Sequence, residues 1–228
     1  MPITFTTAGP VLAPELLEMQ GRLRAHSFLT DCRNGKAPMS RLKIFLSQHA
    51  AYSGYFVQYL CALIANLSNQ DDVRSLLENL AEEMGCGSAE GESHYKIYCQ
   101  MLETFGIDAR RTEVLPSTKG LIDKMFSCCR DPDSAYGLGA LCLGAEAVAP
   151  IIYEDIICGF RAHGIPDKQI RFFHLHVGRD SGHAEAMMLI ISRMMRTDPA
   201  ATKKVLSAAL AVIDARLTFF DGVKEAGI

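Results

Sequence analysis

Apolar residues recur at three- and four-residue spacing along nearly the whole chain, and no segment alternates β-branched with polar residues. A sheet would need that alternation to bury one face, so the expected fold is an all-α, single-domain bundle of about seven helices. A first helix is expected from about Pro14 to Asp31, closed by Asn34-Gly35. Ser40 is placed to cap a second, running to about Leu67, and Asp71 or Asp72 to start a third. Glycines at 85, 87 and 91 interrupt that helix before the pattern resumes from Glu92 to Phe105. Further helices are expected from Pro116 to Cys129, Ala135 to about Phe160, Asp167 onward with a bend at Gly178 or Gly182, and Asp198-Pro199 to about Lys224.

At 228 residues without a shift in composition, residues 1–228 read as one domain. The net charge of −3 offers no basic footprint for nucleic acid and no polybasic anchor for a membrane. No apolar run is expected to reach the ~20 residues of a membrane span. Met1-Pro2-Ile3-Thr4-Phe5 lacks the basic and apolar regions of a leader, so the expected compartment is the cytoplasm. The eight cysteines form no C-x-x-C and sit mostly in apolar helical runs, where they read as small buried hydrophobes and not as disulfides or zinc ligands.

The stretch His176-Val-Gly-Arg-Asp180-Ser-Gly-His183 carries chemistry. At about 100° per residue, positions 176, 180 and 183 fall within roughly 60° of one another on a helix. Two imidazoles and a carboxylate then share one face, the ligand set that non-haem iron favours. A solvated polar stripe would show the same three-residue pattern, so other helices must supply further ligands.

Glu146 does so from Gly139–Ile152, the most apolar stretch of the chain, where an ionised carboxylate is costly without a partner. The third helix offers Glu82 and Glu83, which cannot both face inward. Glu83 continues the face of Val73, Leu76 and Leu80, and His94 follows the glycine-rich break, with Glu90 one turn before it as an alternative ligand. Three carboxylates and three histidines on three helices make a di-iron stoichiometry. On the second helix, Gln48, His49 and Tyr52 are candidate substrate contacts; a core histidine and tyrosine with satisfied hydrogen bonds would look the same.

With Arg24-Ala-His-Ser-Phe-Leu29, Phe45-Leu-Ser-Gln-His-Ala-Ala-Tyr52, Glu78–Gly85, the Glu146 helix and His176-x3-Asp180-x2-His183, the chain resembles the haem-oxygenase-like di-iron oxygenases, a branch of the TenA/PqqC-type helical fold. The resemblance covers most of the chain and implies Glu83, His94, Glu146, His176, Asp180 and His183 as ligands to two Fe(II) ions, the second held weakly. It implies O2 and a small-molecule substrate as partners, and a homodimer, common for such folds. The family's chemistries are oxidative decarboxylation of fatty acids, oxidative cleavage of amino acids and N-oxygenation of amines. Some members make para-aminobenzoate from their own tyrosine, but here Leu29 and Ala145 stand where tyrosines are expected, and Ile156 or its neighbours where a lysine is expected. Two other readings stay open: a metal-free TenA- or PqqC-like enzyme (a thiamine-related hydrolase or cofactorless oxidase), and a non-enzymatic interaction domain.

Overall fold

A computed structural model describes residues 9–86, 91–179 and 181–226, so Glu90 and Asp180 lie outside the described residues. Among these residues the fold is all helical. About seven helices proves too few, because several runs that read as single helices are broken. The first divides into α1 (Gly9–Ala25) and α2 (Ser27–Arg33), because extended His26 turns its Nδ1 onto the Phe28 N–H and caps a new helix. The second divides at Gly54-Tyr55 into α3 (Met39–Ser53) and α4 (Phe56–Ile64).

Helix α5 (Gln70–Glu83) starts earlier than expected, because Asn69 Oδ1 accepts from the N–H groups of both Asp71 and Asp72. It stops at Gly85, whose φ of 78° admits glycine readily. Ser93 then caps α6 (His94–Thr104), which makes His94 the first residue of that helix. After α7 (Pro116–Cys129) comes α8 (Ser134–Leu138), a π-helical stretch over Gly139–Glu146, and α9 (Ala149–Ala162). The chain ends with α10 (Arg171–Arg179), α11 (Ser181–Thr197) and α12 (Ala201–Glu225).

The segment Ser134–Ala162 has the length and mean hydropathy of a membrane span, contrary to the expectation that no run reaches it. Its most apolar window is 83% buried within the fold, so its hydrophobicity serves the core. Helix α12 lies against the π-helical stretch and against α7, while α9 takes α2 and α10. Rings of Phe28, Phe45, Phe173, Phe219 and Phe220 pack between these layers.

The approach of α12 depends on two glycines. A Cβ at Gly139 would overlap the Val205 carbonyl oxygen, and one at Gly144 would stand 2.8 Å from the Val212 side chain. The first obstacle is backbone and cannot swing aside. Gly139→Ala is expected to cost about 3 kcal/mol and to lower Tm by roughly 6–12 °C in thermal denaturation. An unchanged Tm would mean that α12 does not approach this closely.

A candidate metal centre

The cluster forms where helices begin or end. Glu83 is the last residue of α5, His94 the first of α6, and Glu146 the last of the π-helical stretch. His176 comes from α10 and His183 from α11. A π turn adds a residue to the helical ring and so rotates the next residues about the axis. Here Ala147 N–H bonds to the Cys142 carbonyl, five residues back, as the stretch ends beside Glu146.

Five of the six expected ligands meet, and the sixth, Asp180, lies outside the described residues. They form two groups that share Glu83. Donor atoms of Glu83, His94 and His176 lie within 4.8 Å of one another, as do those of Glu83, Glu146 and His183. His94 Nδ1 is 3.0 Å from Glu83 Oε1, and His183 Nδ1 is 3.5 Å from Glu83 Oε1 and 3.9 Å from Glu146 Oε1. The rings of His94 and His176 meet edge to face at 4.8 Å.

Hydrogen bonds outside the cluster set which nitrogen faces in. His176 Nδ1 donates to the Phe172 carbonyl at 2.8 Å, so Nε2 carries the lone pair. Burial pushes this imidazole down to about 4, which keeps it neutral. His183 presents the opposite nitrogen: Nε2 donates to Glu82 Oε2 at 3.0 Å and leaves Nδ1 turned inward. Glu82 points away from the cluster, as its neighbour's inward orientation requires, yet its half-exposed carboxylate holds a ligand in place.

The carboxylates differ. Burial pushes Glu146 up to about 7, against the pull of His183. Burial also pushes Glu83 upward, but the hydrogen bond from His94 and the surrounding imidazoles more than offset it, leaving Glu83 below the ordinary carboxylate range. His94 answers: burial pushes it down, and the bond to Glu83 brings it above the usual histidine value.

Among the described residues, Glu146 Oε1 and His183 Nδ1 are both buried without a hydrogen-bond partner. Leaving either unsatisfied costs on the order of 1–3 kcal/mol. A divalent cation between them would satisfy both at once, so the residues present fit a metal. Nitrogen and carboxylate donors suit iron. Glu82→Gln, which weakens the grip on His183, is expected to reduce metal affinity roughly 10–100-fold in competition with a chelator. Unchanged affinity would show that Glu82 does not orient His183.

Glu83, His94, Glu146 and His176 of this cluster line one wall of a cavity of about 360 Å³. His49 and Tyr52 line it, as expected of substrate contacts, and so do Tyr153, Ala145 and Arg216. Gln48 does not. The turn of about 100° from His49 aims it at the start of α7. There its Nε2 donates to the Glu113 carbonyl, and its Oε1 accepts from Leu115 N–H and Thr118 Oγ1. Gln48 therefore fastens a connection and does not line this cavity. The sequence reading missed Glu82 as a support and Arg216 altogether. The available signal for Arg216 was its position on the apolar face of Val205, Ala209 and Val212 in α12.

Residues 43–217 match the iron-containing redox enzyme family, and the chain belongs to that family. It is 25% identical over 213 residues to a 4-aminobenzoate synthase of Chlamydia pneumoniae, covering 90% of this chain and 92% of that one. It is 22% identical over 203 residues to a 4-chloro-allylglycine synthase of Streptantibioticus cattleyicolor, covering 88% of this chain and 77% of that one. A solved domain of haem-oxygenase-like fold from Shewanella denitrificans superposes with a TM-score of 0.77 at 16% identity, over 95% of this chain and 91% of that domain, which identifies the fold.

Proposed function

We propose that the protein is a non-haem di-iron oxygenase or oxidase. It would activate O2 for oxidative cleavage, decarboxylation or N-oxygenation of a small amino acid-derived or fatty-acid substrate. The observation that carries this reading is the pair of donor groups joined through Glu83, with an orphaned oxygen on Glu146 and an orphaned nitrogen on His183. Glu83, His94 and His176 would hold one Fe(II), and Glu83, Glu146 and His183 the other, with Asp180 the further ligand expected from the motif. Bound there, the irons supply the electrons that reduce O2.

The chain's own residues do the rest. Carboxylates 83 and 146 supply negative charge that favours the oxidised metal. The Phe172 carbonyl and the Glu82 carboxylate hold His176 and His183 with the required nitrogens inward. The cavity would hold an organic molecule against this wall.

Self-sacrificing tyrosine chemistry is not part of the proposal. Leu29 and Ile156 are core residues, and Ala145 brings no phenol to the cavity it lines. The test is O2 consumption by the anaerobically iron-loaded chain when presented with fatty acids, amino acids and amines. Uptake that depends on both iron and one of these substrates supports the reading. A chain that binds iron yet consumes no O2 with any of them argues against it.

A further inference from the structure

Arg216 is 6% exposed, and no carboxylate stands within 4 Å of it among the described residues. Its Nε and Nη2 donate to the Gly144 carbonyl at 3.2 and 3.1 Å, and Nη2 also donates to Tyr52 Oη at 2.9 Å. The guanidinium lies 5.0 Å from the centre of the Tyr52 ring. Among the described residues none accepts from Nη1, and the side chain lines the cavity. An arginine side chain stays charged, so a buried one without an anion is costly. Holding the Gly144 carbonyl accounts for one side of the fork and leaves the other unused.

His49 adds an independent sign. It is 3% exposed, lines the same cavity and leaves Nδ1 without a partner. Its Nε2 is 3.0 Å from the Tyr153 hydroxyl, and in the Nδ1–H tautomer of the ring Nδ1 is a donor. The His49 ring is 6.0 Å from that of Tyr52, on which Arg216 rests. A permanent cation and a ring nitrogen without a partner among the described residues thus flank Tyr52 in the cavity lining.

We propose that Arg216 Nη1 and His49 Nδ1 form an anion subsite that receives the carboxylate of a monocarboxylic acid, with its alkyl chain lying in the cavity. The proposal deepens the reading above and rests on this cavity being the substrate site. Phe56, Val57, Ile152 and Phe172 supply an apolar lining for the chain. Among the described lining residues the carboxylates are Glu83 and Glu146, both in the metal cluster, which leaves none to receive an α-ammonium. Arg216 is then a binding and specificity residue that selects acids over alcohols and simple acids over amino acids.

The test is calorimetric titration of octanoate, octan-1-ol and 2-aminooctanoate into the full chain. It is run on iron-loaded protein under nitrogen and on metal-free protein, with iron counted in each sample. Octanoate is expected to bind at least ~10-fold more tightly than octan-1-ol, as a charge-assisted hydrogen bond provides, and more tightly than 2-aminooctanoate. Arg216→Gln should abolish the preference for acid over alcohol without changing the iron content, and Arg216→Lys should keep part of it.

Equal binding of octanoate and octan-1-ol by the wild type overturns the proposal without any variant. So does a preference that survives Arg216→Gln, or tighter binding of 2-aminooctanoate. Should Arg216→Gln not fold, His49→Phe is expected to reduce the preference, and an unreduced one overturns the subsite. Iron bound with no acid preference rejects the subsite alone. An acid preference in metal-free protein that takes up no iron rejects the oxygenase reading and keeps the subsite.

Discussion

Glu83→Ala is expected to empty both metal positions, whereas His94→Ala, His176→Ala and His183→Ala each empty one. Glu83 contributes to both donor groups, and each histidine to a single one. Loss of a support behind a ligand already weakens a metal roughly 10–100-fold, and loss of a shared ligand removes more. Iron in the anaerobically loaded protein should therefore fall from about two per chain to near zero in Glu83→Ala, and to about one in each histidine variant. Far-UV circular dichroism should remain that of the wild type, because Glu83 is the last residue of α5 and its replacement by alanine leaves the backbone hydrogen bonds of the helix in place. Retention of one tightly held iron in Glu83→Ala would show that the two positions do not share this carboxylate.

Glu146 yields the second large effect, and its sign depends on the metal. Burial raises its affinity for a proton, moving it from 4.5 to about 7. Between those values the folded chain keeps a proton that the unfolded chain has released. The metal-free protein therefore loses stability as pH rises through that window, and the favourable term, complete below 4.5, is gone above 7. At roughly 1.4 kcal/mol for each tenfold change in proton affinity, the loss is about 3 kcal/mol.

Glu146→Gln keeps the shape and removes the charge. The metal-free variant should exceed the metal-free wild type in stability by about 3 kcal/mol at pH 8 and match it near pH 4.5, as read by urea unfolding. Excess Fe(II) should reverse the order at pH 8, because a bound ion stabilises the folded wild type and the variant has lost a ligand. A metal-free variant less stable than wild type at pH 8 would show that burial does not disfavour the ionised form of Glu146.

Much of this centre is legible in the sequence, for identifiable reasons. Glu146 stands out because an acid amid Gly139–Ile152 has no polar face to occupy. His176 and His183 stand out because helical periodicity aligns them. Glu83 is separable from Glu82 because only one of two adjacent residues continues the Val73, Leu76 and Leu80 face. The all-α class follows from periodicity in the same way.

What escapes the sequence depends on contacts between distant segments. The π-helical stretch is a departure in backbone bonding that no residue type announces, and it lies where Gly139 and Gly144 let α12 approach. The breaks at His26 and Gly54 arise from a side-chain cap and a two-residue turn inside otherwise continuous apolar patterns. Gln48 looks cavity-facing only because of its neighbour His49; its partners are some 65 to 70 residues away in sequence. Glu82 acquires its role from a histidine 101 residues downstream.

On this reading the Glu83 carboxylate would serve both iron positions. Mössbauer spectroscopy of the full chain saturated with 57Fe(II) and then exposed to O2, with iron counted per chain, tests it most directly. About two irons per chain and a magnetically coupled pair are expected if both irons lie against Glu83. A single uncoupled iron at saturation, or two with no magnetic interaction, would contradict it.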